Sequence, residues 1–249
     1  MLIHDLAENA LRQLPDNSVD LTFTSPPYYN ARDYVQYDSY TQYLDLLELV
    51  FAEVRRVTKE GRFLVINTSP VITPRPSRSH QSQRHAIPFD LHARLHGWDF
   101  IDDIVWVKPE GSAKNRNGGF GQHRKPLAYK PNCVTEYVLV YRKRTDKLID
   151  WNVRQYHGQQ LTDSLVTGDY KRTNVWQIQP AFDKRHSAVF PRELCSRIIR
   201  YYSYVGDTVL DPFAGSGTVG VIAKNLQRNY IMIDCQGEYI QYMNERGLA

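Results

Sequence analysis

A strand that runs straight into a glycine turn and leaves as a helix restricts a chain more than its composition does, and residues 207 to 234 contain such a unit. Asp207-Thr208-Val209-Leu210-Asp211 is the short apolar run of a buried strand. Pro212-Phe213-Ala214-Gly215-Ser216-Gly217-Thr218 follows at once. Its two glycines let the backbone pass close to a ligand, and Val219, Ile222 and Leu226 then recur at helical spacing. Residues 228 to 234 read as the next strand, with Asp234 at its end, where a carboxylate can grip ribose hydroxyls. A strand, helix and strand joined in this way predict a parallel crossover.

The amino-terminal third repeats the pattern. Leu2 and Ile3 form a short strand. Leu6, Ala10, Leu11 and Leu14 form a helical stripe, and residues 19 to 24 form a second strand. From Tyr40 to about Lys59, Tyr43, Leu47, Val50, Phe51, Val54 and Val57 lie on one helical face, with Gly61 placed to end the helix and residues 62 to 67 a buried strand. The resulting βαβαβ run predicts an α/β fold with a doubly wound, mostly parallel sheet. Thr24-Ser25-Pro26-Pro27-Tyr28 closes the second strand abruptly. Its prolines lack N–H groups and fix φ, so the carbonyls there become oriented acceptors. The Ser25 oxygen, the Pro26 carbonyl and the Tyr28 ring together suit a flat heterocycle bearing an amine.

Two motifs in this order, Ser25-Pro26-Pro27-Tyr28 first and Asp211 to Thr218 second, resemble the permuted "beta" group of amino-DNA methyltransferases. The resemblance implies a Rossmann-like class I methyltransferase fold with seven strands, a terminal antiparallel hairpin and circularly permuted motif order. The hairpin falls on residues 100 to 108 and 136 to 141. It implies Ser25, Pro26, Pro27 and Tyr28 as catalytic residues. It further implies an S-adenosylmethionine site of Asp5, His186, Ser187, Phe190, Asp211, Phe213, Gly215, Ser216, Gly217, Thr218 and Asp234. Asp5 stands where the family has an acid that bonds adenine, although His4 replaces the usual preceding glycine. Direct transfer to N4 of cytosine is expected over N6 of adenine, because serine at the first motif position leans that way. Double-stranded DNA is the implied partner, with a cognate restriction endonuclease or none, and a homodimer is left open.

Other classes compete. Gly215-Ser216-Gly217-Thr218-Val219-Gly220 also satisfies the G-x-G-x-x-G dinucleotide pattern, so an NAD-dependent oxidoreductase is one alternative. A DNA-binding module without catalysis is another, and RNA or protein acceptors are a third.

At 249 residues and 42% hydrophobic, the chain suffices for one large catalytic domain over residues 1 to 249. No apolar run is long enough to span a bilayer and the start lacks a signal-peptide pattern, so a cytoplasmic location is expected. Cys133, Cys195 and Cys235 have no Cys-x-x-Cys spacing, and His92 and His96 lack an intervening glutamate, so no metal is expected. The net charge is only +4, but residues 108 to 147 carry ten basic against three acidic side chains, which suits a surface that tracks phosphates. Residues 70 to 88 have four prolines and no hydrophobic period, and are expected to form a mobile loop that closes over DNA. Residues 142 to 185 are polar with scattered aromatics. They are the expected target-recognition region, with Arg154, Gln155, Gln159, Gln160, Lys171, Arg172 and Asn174 as candidate base readers.

Overall fold

The structure is a computed structural model describing residues 1–30, 37–75, 77–112, 125–129, 131, 133–183, 185 and 189–248. In chain order the first elements are β1 (Leu2–His4), α1 (Ala7–Arg12), β2 (Val19–Thr24), α2 (Tyr40–Val57), β3 (Thr58–Thr68), β4 (Val71–Thr73), β5 (Gln83–His85) and α3 (Ile87–His92). The middle of the chain supplies β6 (Trp98–Val107), β7 (Thr135–Lys143), α4 (Ile149–Val153), α5 (Gly158–Ser164) and β8 (Val175–Gln177). The last are α6 (Arg192–Tyr202), β9 (Thr208–Asp211), α7 (Thr218–Asn225), β10 (Asn229–Asp234) and α8 (Gly237–Glu245).

Among the described residues, eight strands form the main sheet in the order β1-β10-β9-β2-β3-β7-β6-β8. Every neighbouring pair is parallel except those made by β7, which runs against both β3 and β6. The core explains the layers. Leu64 and Ile66 of β3 pack with Leu11 of α1, Leu47 and Val54 of α2 and Leu91 of α3. Val65, between them, packs on the other face with Ile198 of α6, Val219 of α7 and Met243 of α8. This period of two, apolar on both faces, is what a sheet covered by helices on each side requires.

Four expectations are corrected. The sheet has eight strands among the described residues and not seven, because Val175-Trp176-Gln177 adds a strand beside β6 that is too short to show alternation in sequence. Beyond the β6–β7 antiparallel pair therefore lies β8, so that pair does not end the sheet. Gly61 does not end α2. The helix stops at Val57, β3 begins immediately, and Gly61, with φ +68°, sits inside it where the register against β2 shifts. Residues 70 to 88 are not wholly irregular either, since β4 and β5 pair as an antiparallel hairpin and α3 begins at Ile87. His85 anchors that hairpin, its ring 4.3 Å from the Tyr40 ring and 4.9 Å from that of Tyr29.

The direction of β7 matters most for function. Because it is antiparallel, β7 delivers the chain to the amino ends of the parallel strands, and α4 and α5 pack there. Asn152 donates to the Glu60 carbonyl at 3.0 Å and Gln160 to the Val205 carbonyl at 2.6 Å. No helix among the described residues is long and apolar enough to cross a membrane.

Candidate active site

The first four strands of the sheet order, β1, β10, β9 and β2, bring both ends of the chain to one carboxyl edge. A cavity of about 220 Å³ opens there. Ser25, Pro26, Pro27 and Tyr28 form one wall, and Asp211, Phe213, Gly215, Ser216, Thr218 and Asp234 form another. Phe190 completes the lining, held by stacking on Phe23 of β2 at 4.7 Å between ring centroids.

Hydrogen bonds tie the two walls together. The Thr24 hydroxyl donates to Asp211 Oδ1 at 2.6 Å, linking β2 to β9, and the Phe213 amide donates to the same oxygen at 3.1 Å. Asp234 clasps the glycine turn, accepting from the Gly215 amide and the Gln236 amide at 2.8 Å each. Burial raises the Asp211 carboxyl to about 7, against the pull of its Thr24 and Phe213 hydrogen bonds and with help from the Asp234 charge. Burial raises Asp234 as well. Two carboxylates whose charge is poorly solvated, beside the apolar surfaces of Pro212, Phe213, Phe190 and Tyr239, fit a cofactor that is cationic at one end and carries ribose hydroxyls.

Tyr28 faces this cavity from a half-buried position, and its hydroxyl donates to Glu136 Oε2 at 3.1 Å. Burial first, and then the Glu136 charge, push the phenol well above its ordinary value, so it keeps its proton.

Two of the residues expected at the cofactor do not line the cavity. Asp5 directs its carboxylate at its own helix, accepting from the Leu6 amide at 2.8 Å and from Asn9 and Gln13 at 3.4 and 3.5 Å. An acid just before a helix is within reach of the next backbone N–H and of side-chain amides on the helix's near face. Its neighbours Leu6, Ala7 and Glu8 line the cavity instead. Gly217, with φ +72°, serves packing: a Cβ there would run into Met243, with its Sδ at 2.8 Å, and meet Leu248 at 3.0 Å. His186 and Ser187 lie outside the described residues.

The target-recognition candidates fall in two groups, both after β7 in the chain. Arg154, Gln155, Gln159 and Gln160 belong to the α4–α5 layer, at the end of the sheet opposite the cavity. Lys171, Arg172 and Asn174 lie before β8, with Asn174 donating to the Asp103 carbonyl at 2.8 Å. The basic segment is divided too. Lys108 ion-pairs with Glu136 near Tyr28, whereas Arg142 binds the Gly61 carbonyl at 2.9 Å and Lys147 binds Glu60 at 2.9 Å at the far end. Sequence reasoning missed Asn67, Lys108 and Glu136, which meet beside Tyr28. An acid opening an otherwise apolar strand was their only signal.

A sheet that brings a carboxylate-and-glycine turn and a proline-set aromatic wall into one crevice belongs with the α/β methyltransferases. Comparison with known proteins narrows this. The chain belongs to the DNA methylase family, whose pattern matches residues 19–245. It is 29% identical to the type II methyltransferase M.Cfr9I of Citrobacter freundii, over 94% of this chain and 83% of that one. The orphan methyltransferase M.BamHII of Bacillus amyloliquefaciens is 30% identical, over 93% and 89%. Among solved structures, a Thermus thermophilus protein assigned as a DNA modification methylase, in complex with S-adenosyl-L-methionine, superposes with a TM-score of 0.76 at 28% identity, over 98% of this chain and 93% of that one. The cytosine-N4-specific PvuII DNA methyltransferase shares the fold, with a TM-score of 0.72 at 19% identity over 98% and 85%. Family membership displaces the dinucleotide alternative. Gly220, the last glycine of that pattern, packs against Met232, where a Cβ would meet Cγ at 2.8 Å.

Proposed function

We propose that the chain transfers the methyl group of S-adenosylmethionine to an exocyclic amine of a base flipped out of double-stranded DNA at a specific sequence, N4 of cytosine in preference to N6 of adenine. The observation that carries this reading is one cavity lined both by Ser25 to Tyr28 and by the Asp211, Gly215 and Asp234 turn. When bound, the cofactor would supply a methyl group made electrophilic by its sulfonium, the sulfur–methyl bond breaking to leave S-adenosylhomocysteine.

The chain's own residues supply geometry. An exocyclic amine is a poor nucleophile because its lone pair is delocalised into the ring. Hydrogen bonds from that amine to Ser25 Oγ and the Pro26 carbonyl draw the nitrogen toward tetrahedral geometry and localise the pair on the side facing the methyl. Pro26 and Pro27 hold those acceptors in place before the base arrives, so little reorganisation remains. Tyr28 offers its ring for stacking, which offsets part of the roughly few kcal/mol that flipping costs. Once alkylated, the nitrogen releases its extra proton to water. Ser25 offers a neutral oxygen where a carboxylate or amide would stand in an adenine enzyme, and the choice of cytosine rests on it.

Nucleoside mass spectrometry of DNA incubated with the protein and S-adenosylmethionine tests the whole reading. The expected product is N4-methylcytosine, absent with Tyr28→Ala. N6-methyladenine alone would overturn the base, and methylated RNA or peptide without methylated DNA would overturn the acceptor.

A further inference from the structure

We propose that Glu136 is a positioning residue for methyl transfer, acting through the Tyr28 hydroxyl and itself held by Lys108. The inference rests on Tyr28 being the platform for the target base. Glu136 is the second residue of β7, and the antiparallel run of that strand places it at the carboxyl edge of its parallel neighbours, opposite Trp106 of β6. Its side chain is only 12% exposed.

Three donors from three separate segments converge on this carboxylate. The Tyr28 hydroxyl and the Asn67 amide nitrogen, from the end of β3, both reach Oε2, while the Lys108 ammonium, just past β6, binds Oε1. Lys108 also lies 4.7 Å from the Trp106 ring, which fixes the cation from a second side. A carboxylate this far from water is stable only with its charge matched and its oxygens occupied, and here both conditions are met. Asn67 is instructive. It is 2% exposed, and turning its nitrogen to Glu136 leaves its Oδ1 buried with no partner among the described residues. That uncompensated acceptor is unfavourable, so the donor directed at Glu136 is maintained against a local penalty.

The consequence falls on Tyr28. Its backbone follows Pro27, whose φ is fixed, and its far end is tethered to Glu136. The direction of the ring's long axis is therefore set before a base arrives, and a base stacked on it presents its amine at a defined height relative to Ser25 and Pro26. With the tether cut the ring remains but its direction is no longer held.

A double-mutant cycle distinguishes this from a general contribution to folding. Single-turnover transfer from tritiated S-adenosylmethionine to plasmid DNA of a methylation-deficient host would be measured for Glu136→Gln, Tyr28→Phe and the pair. Each single change is expected to slow transfer on the order of 10- to 100-fold, with the calorimetric Kd for S-adenosylmethionine held within about twofold. In the Tyr28→Phe background, Glu136→Gln is expected to cost less than about a further threefold, because both act on the same link, the glutamine by losing the charge through which Lys108 holds the acceptor. An undiminished Glu136→Gln effect in that background, or an unimpaired Tyr28→Phe enzyme, would overturn the proposal. Should Glu136→Gln fail to fold, Tyr28→Phe decides alone. Tyr28→Ala separates the two levels: full activity there removes the platform itself, whereas an inactive Tyr28→Ala beside a silent Glu136→Gln removes only the tether.

Discussion

Asp211 shows how much one buried carboxyl can do to the protein around it. Its Oδ1 accepts from Thr24 and from the Phe213 amide, so its position joins two strands and shapes the turn. Only 1% exposed, it holds its proton up to about pH 7, whereas the same carboxyl in an unfolded chain releases it near 3.8. Between those values the folded state binds the extra proton. Folding is therefore favoured as pH falls through 7 toward 4, and that contribution is lost above 7. Asp211→Asn keeps the accepting oxygen and removes the charge. At pH 8 the variant should be more stable than the parent by roughly 2–4 kcal/mol, and at pH 5 the advantage should fall to less than half, as chemical denaturation at the two pH values would register. An advantage of equal size at both pH values would mean that the parent carboxylate is ionised throughout. The residue was legible as a strand-end acid in a ligand crevice. Its link to Thr24 was not, because the two stand far apart in sequence and adjacency of β2 and β9 is a property of the sheet.

At the scale of elements, α4 and α5 close the amino ends of the strands around a buried charged cluster. Arg62 of β3 is 5% exposed and ion-paired with Asp207, and it donates to the Asp20 carbonyl at 3.2 Å and to the Tyr156 hydroxyl at 2.6 Å. The Tyr156 hydroxyl donates to Asp207 Oδ1 at 2.7 Å, and its ring stacks on that of Tyr204 at 3.7 Å. Burial works against the Arg62 charge, and Asp207 and Asp20 more than restore it. Tyr156→Phe keeps the stack but leaves a guanidinium nitrogen and a carboxylate oxygen each short of a partner. It should cost about 1–3 kcal/mol in urea denaturation while leaving methyl transfer at the parental rate, since this layer lies across the sheet from the cavity. A large loss of transfer without loss of stability would show that the layer takes part in the reaction. Sequence made residues 142 to 185 look like a single polar excursion, yet two of its aromatics are structural: Trp176 is the buried residue of β8, and the half-buried Tyr156 bonds Arg62 of β3. Periodicity was weak because short helices docked on polar anchors have little apolar stripe to show.

For the whole molecule, the strand ends were the legible part. In a parallel sheet every strand that finishes on an acid or a serine delivers it to the same edge, so Ser25, Asp211 and Asp234 could be gathered from sequence once the strands were known to be parallel. One antiparallel strand defeats that inference. It divides a segment counted as one basic patch, sending Arg142, Lys143, Arg144 and Lys147 to the floor, where they bind Gly61, Thr58, Asp99 and Glu60. DNA that offers a flipped base to Ser25 and Tyr28 must approach the carboxyl edge. The basic residues exposed on that side include Arg75, Arg78 and Arg84 of the segment holding the β4–β5 hairpin. Fluorescence anisotropy with a labelled duplex across a salt series distinguishes the two ends of the molecule. Neutralising Arg78 and Arg84 should weaken binding and lower the slope of log affinity against log salt by about one per lost phosphate contact. Arg154→Ala, on the floor, should leave affinity and slope unchanged. The reverse result would place the duplex against α4 and α5. The base would then have to cross the sheet to reach Ser25, and Tyr28 could not be its platform.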